Sequence, residues 1–249
     1  MNHSSSAAGP SLALLRTAVA AFGRYTTAED SWTAFQAATA PGVDPVLPGH
    51  RTALLRWLNA AGCRIRYPRT GEPDLFGTGV AGWWREYGEL LPAAEERLVG
   101  LDDERIAAVG AAFAALSATP ASLGRRPRPL GPTAASKLLH ALRPYAVMPW
   151  DAAIAAALHQ TRDGSAFAAH QRLGRAWGRA VLAEAGGPAR AMTHADAENE
   201  LAAAFGAPGR PLAKMLDDYC YLVFTAGSVE PGTDGTGSAG EAAAVPAIG

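Results

Sequence analysis

Lysine is nearly missing from this chain of 249 residues: only Lys137 and Lys214 stand beside 20 arginines. Cysteine is as scarce, with Cys63 and Cys220 alone. Two cysteines exclude a disulfide framework and a zinc-type cysteine cluster. Net charge is almost absent, at −1. That argues against an indiscriminate polyanion binder, because sequence-independent nucleic-acid affinity comes mostly from neutralising phosphates. A local basic face stays open. No apolar run is long enough and free enough of charge to predict a spanning helix. The start, MNHSSSAAGPSLALLRTAVAAF, is polar before it is apolar, lacks a basic opening and is interrupted by Arg16, so it does not read as a secretory signal. The expectation is a soluble, cytoplasmic protein in a reducing compartment, with no cofactor, no metal and no membrane partner. Alternating strand patterns are lacking too; the one short candidate is residues 63–67.

What is present is alanine, 56 residues of it, arranged with larger apolar residues at helical spacing. Leu12, Leu15, Val19 and Phe22 fall three and four apart and predict a helix over 11–25. The same period predicts helices over 28–40, 51–61, 80–91, 102–118, 132–142, 152–160, 165–184, 195–205 and 211–224. Trp57, Trp83, Trp84 and Trp177 sit at helical spacing and read as core. The expected fold is all-α over 11–226, with 11–118 and 130–226 as candidate lobes. Residues 1–10 and 227–249 read as tails, because their small and polar residues have no period and bury too little to offset ordering entropy. Residues 119–130, TPASLGRRPRPL, read as a Pro-rich joint whose Arg125, Arg126 and Arg128 form the densest basic cluster in the chain.

The informative segment follows that joint: LGPTAASKLLHALRPYAVMPWDAAIAAAL, residues 130–158. Gly131-Pro132 is a good helix start, with Pro at the first helical position. Pro144 ends that helix, residues 145–149 cross in extended form, and Asp151 is placed as the N-cap of the next helix. Lys137 and His140 share a stripe of the first helix. Lys137 is worth watching because it survives in an Arg-dominated chain, and a deprotonatable amine is one thing arginine cannot supply. Lys214 reads as a surface partner of Asp217 or Asp218. His159 and His170 lie on different helices with no metal-ligand spacing. Cys63 has no histidine in sequence reach and reads as buried and inert.

The order of hairpin glycine, Ala-rich helix, Pro-containing crossing V-x-P-x-D and following helix resembles the helix-hairpin-helix DNA glycosylase superfamily. The resemblance covers roughly 30 residues. It implies a helical glycosylase-like fold in which Asp151 is the catalytic carboxylate and Gly131 offers a backbone N–H to a DNA phosphate. It further implies base excision, a hydrolytic cleavage of an N-glycosidic bond in a flipped-out nucleotide. The departures are definite. The hairpin reads R-P-L-G-P with one glycine, no four-cysteine pattern follows, and Lys137 lies a helical turn beyond the place of the Schiff-base lysine of bifunctional members.

The chemistry can be argued without the family. Cleaving an N-glycoside passes through an oxocarbenium-like sugar, which a carboxylate in a partly dry site stabilises or attacks with activated water. A helix N-terminus favours such a negative charge. An extruded base needs an aromatic pocket. The expected site is therefore Asp151 and Lys137 as catalytic candidates, Trp150, His140 and Tyr145 against the substrate, and Gly131, Arg125, Arg126 and Arg128 against nucleic acid. Two alternatives stand beside DNA glycosylase: a non-catalytic nucleic-acid or partner-binding module, and a nucleoside-like small-molecule enzyme on the same scaffold.

Overall fold

Helix ends in this chain are set by side chains that the sequence displays. Asp74, Asp102, Asp151, Asp163 and Thr193 each accept backbone N–H groups at the start of a helix, satisfying donors that have no partner inside it. The computed structural model describes residues 9–22, 28–186 and 193–227. Among the described residues it holds ten α-helices: α1 Leu12–Phe22, α2 Ala28–Ala38, α3 Pro48–Ala60, α4 Leu75–Tyr87, α5 Asp103–Ala118, α6 Pro132–Leu142, α7 Ala152–His159, α8 Gly164–Glu184, α9 His194–Ala204 and α10 Leu212–Cys220. Short 3-10 turns follow at Gly88–Leu90 and Leu98–Gly100, and a π-helical turn at Tyr221–Thr225 extends α10. The fold is thus mostly helical, and no described helix is long and apolar enough to cross a membrane.

The periodic segments form helices close to where the apolar spacing puts them. Three local expectations are corrected. The Pro-rich joint is a two-stranded antiparallel hairpin, β1 Pro120–Leu123 with β2 Pro127–Pro129, in which Ser122 faces Arg128. Residues 63–67 form no strand; the Asn59 side chain instead brackets Ile65, donating to its carbonyl and accepting from its N–H. The first tail ends early, for Pro10 is buried and Gly9 lies so close to the Trp177 ring that an added Cβ would meet it at 2.4 Å. Residues 1–8, 23–27 and 228–249 lie outside the described residues, and with them most of both expected tails and the end of the first expected helix.

The core runs continuously from α1 to α10 and draws on both sides of the hairpin. At its centre α5 crosses α8 at glycine: a Cβ on Gly110 would stand 2.6 Å from the Gly164 carbonyl, and one on Gly164 equally close to the Gly110 carbonyl. Asp103 ties the same pair from outside through Arg175 at 2.7 Å. Phe113 of α5 stacks on Phe167 of α8 with ring centres 4.1 Å apart. Helix α6 packs on α5 and on α3, and α1 lies along α10. These contacts leave α6 and the start of α7 facing α1, α2, α3 and α10, and a cavity opens between them.

Candidate functional site

Residues 147–150 run extended through the protein interior with no sheet partner, yet all four are buried. Buried backbone N–H and C=O groups need partners. Four polar side chains supply them. His140 Nδ1 meets the Val147 carbonyl at 2.8 Å. Gln171 accepts from the Met148 N–H and donates to the Met148 carbonyl, at 2.8 and 2.9 Å. His170 Nε2 meets the Pro149 carbonyl at 3.2 Å. Ser136 donates to the Trp150 carbonyl at 2.8 Å and accepts from its N–H at 3.2 Å. The crossing is therefore held from one side by α6 and from the other by α8, and it delivers Asp151 to a fixed place. These four side chains are among the few buried polar groups of the chain.

Asp151 is the N-cap of α7. Its Oδ1 accepts from the N–H groups of Ala153 and Ile154, both at 2.9 Å, and its Oδ2 accepts from the Thr225 hydroxyl at 2.7 Å. The carboxylate is thus oriented on both oxygens, by a helix end and by the π-helical turn that closes α10.

Asp151 borders a cavity of about 870 Å³, which also meets Lys137, His140, Tyr145 and Trp150. The five residues that the sequence assigned to chemistry and substrate therefore share one concave site, of the size that small-molecule pockets have. Its aromatic wall is one that sequence reasoning missed. Trp32 of α2 and Trp57 of α3 line it with ring centres 5.2 Å apart, and Trp32 lies 5.9 Å from the His140 ring. Nothing in the sequence linked these tryptophans to residue 151, since only the packing of α2 and α3 beside α6 joins them.

The charged groups differ sharply in their partners. Lys137 Nζ donates to the Ala61 carbonyl at the end of α3, 2.6 Å away. Lys214 is ion-paired to Asp217 at 2.8 Å and to Asp218, and Arg210 holds the other oxygen of Asp218 at 2.7 Å. Burial would lower the Lys214 ammonium, but Asp217 and Asp218 outweigh it and hold its pKa above the ordinary lysine value. The expected pairing of Lys214 is present; the side chain is half-buried on the cavity wall, with the Phe22 ring 3.9 Å beneath its ammonium.

His140 is pushed down to about 4 by burial, against the pull of the Val147 carbonyl. It is neutral near pH 7 with its proton on Nδ1, and Nε2 has no bonded partner among the described residues. His170 is pushed down to about 3 by burial, reinforced by His159, whose Nε2 lies 3.0 Å from its Nδ1. The histidines of separate helices thus meet, and no group of three or more metal-ligating side chains occurs among the described residues. Cys63 is half-buried, and burial pushes its thiol up.

Two expected roles need correction. Trp150 borders the cavity but is 1% exposed, and its indole packs inward on Phe113, Phe167, His159 and His170. It anchors the crossing and offers little face to a ligand. Gly131 does not hold a free N–H for a phosphate: that group donates to the Ser117 carbonyl at 3.0 Å, while the residue's φ of 83° turns the chain into α6. Arg125, Arg126 and Arg128 are exposed on the hairpin and do not line the cavity. Comparison with protein-family models, curated proteins and solved structures finds no match to this chain.

Proposed function

We propose that this chain releases the base from a nucleoside-like N-glycoside held in the cavity, with the Asp151 carboxylate beside the sugar. The observation that supports this reading is the convergence of an oriented carboxylate with two tryptophan rings in one cavity. The base stacks against the half-buried Trp32, since aromatic rings accept flat heterocycles face on, while Trp57, itself stacked on Phe35, backs that wall from the core. As the bond between sugar carbon and base nitrogen breaks, its electron pair leaves with the base. Positive charge develops on the sugar, and Asp151 is placed to stabilise it. Water then bonds to that carbon, and one of its protons ends on the base.

Purified protein incubated with purine and pyrimidine nucleosides and nucleotides is expected to release free base, measured by chromatography. Asp151→Asn should slow release by about 10²–10⁴-fold, the range of a positioned catalytic group. Absence of release from every compound, or equal rates in the variant, rejects the reading.

A second reading, excision of a base from duplex DNA, is favoured by the exposed Arg125, Arg126 and Arg128. The same assay on duplexes with damaged bases separates the two. If the arginines grip phosphates, affinity falls by about 0.9 log unit per contact for each tenfold rise in salt. Salt-independent binding, with every lesion left intact, leaves the small-molecule reading alone.

A further inference from the structure

Among the described residues three cations line the cavity, and two of them are already matched. Lys214 and Arg210 share Asp217 and Asp218. Lys137 is different: its one hydrogen-bond partner is the Ala61 carbonyl, and among the described residues it forms no ion pair. An ammonium has three N–H groups, so two are left for a ligand. The carbonyls that end a helix carry the equivalent of only about half a negative charge, so α3 does not cancel Lys137. On the anionic side Asp151 has three hydrogen-bond donors and, among the described residues, no cation. Among the described residues the cavity thus presents one uncompensated positive group and one uncompensated negative group.

We infer that the ligand carries a phosphomonoester that seats on Lys137, so that the substrate class is a nucleoside monophosphate rather than a free nucleoside. Such a molecule mirrors the cavity, with a fixed anion at one place and a sugar that becomes cationic at another. The sugar half of this statement rests on the N-glycoside reading; the phosphate half rests on Lys137 alone. Arginine would have made a broader fork, whereas a compact ammonium can serve the α3 end and a phosphate oxygen together.

The scarcity of lysine makes the test direct. In the folded wild-type chain, amine acylation followed by mass spectrometry reads two side chains, Lys137 and Lys214, the second already held by its ion pairs with Asp217 and Asp218. A saturating purine or pyrimidine nucleoside 5′-monophosphate should slow acylation of Lys137 by about tenfold, by mass action on the protected state. The matching nucleoside should protect it far less. Titration calorimetry should show the monophosphate binding about tenfold tighter than the nucleoside, a gain within the strength of one charge-assisted hydrogen bond. Lys137→Gln, which keeps an N–H for Ala61, should erase that preference, and Asp151→Asn should keep it. Equal protection by the two ligands, equal affinities, no binding of either, or a preference that survives Lys137→Gln overturns the inference. Phosphate preference without base release in either ligand rejects the N-glycoside reading and keeps the anion site. Base release without phosphate preference does the reverse.

Discussion

Ser136 shows how much one hydroxyl decides. Its oxygen closes both backbone groups of Trp150, the residue before Asp151, and both would otherwise be buried without partners. Ser136→Ala should therefore lower stability by about 1–3 kcal/mol, the cost of a newly unsatisfied buried polar group. Urea unfolding measures it, and a loss near zero would mean that the crossing finds other partners. Ser136 gave no signal in the sequence because its partner lies 14 residues on, in a stretch with no period. Gln171 and His170 were hidden for the same reason, at separations of 23 and 21 residues. Asp151 was legible because its task is local: an acid directly before an apolar helical run is a cap, and its two N–H partners lie two and three residues away. His140 was legible as half of a stripe with Lys137, but the stripe did not say that one of its nitrogens would be taken by the crossing.

Among the elements, the α5–α8 crossing is a tight joint built on two glycines. Gly110 and Gly164 each bring a backbone carbonyl where a Cβ would need to be, and Ala114 and Ala168 flank them. Gly110→Ala improves helix propensity by roughly 1 kcal/mol but forces the two helices apart. The net expectation is destabilisation by about 1–3 kcal/mol, as in other overpacked cores, read as a fall in the midpoint of thermal unfolding. A stabilised variant would show that the helices separate freely. Helix positions were legible because α5 and α8 each bury one apolar face, whereas α6 is buried on nearly every side. The hairpin was not. Its strands begin or end in proline, which cannot donate to a ladder, and three prolines among seven strand residues erase the alternation that marks a strand. A basic, Pro-rich sequence of this kind looks like a joint until its backbone is seen to pair.

At the scale of the whole molecule, the crossing makes stability depend on pH, because two of its four clamps are histidines that the fold keeps neutral. His140 and His170 have ordinary values of 6.5 and are lowered to about 4 and about 3 by burial. Below pH 6.5 the unfolded chain takes up two protons that the folded chain refuses, so stability falls as pH falls through this window. Glu198 acts with the opposite sign. Burial raises it from 4.5 to about 7 against the pull of Arg97, so its contribution is complete below 4.5 and lost as pH rises through 7. Between about pH 5 and 6 the two histidines together give a slope of roughly 2–3 kcal/mol per pH unit, and Glu198 cancels about half of it. Wild-type stability from urea unfolding is thus expected to peak near neutral pH and to fall by roughly 1 kcal/mol per unit through the pH 5–6 window. In Glu198→Gln the opposing term is gone, and the acid slope should nearly double. An unchanged slope would place the proton uptake elsewhere than on these three groups. The same two imidazoles hold the Val147 and Pro149 carbonyls, so acid that unseats them releases the segment that carries Asp151. Loss of any Asp151-dependent activity should therefore track loss of folding on the acid side.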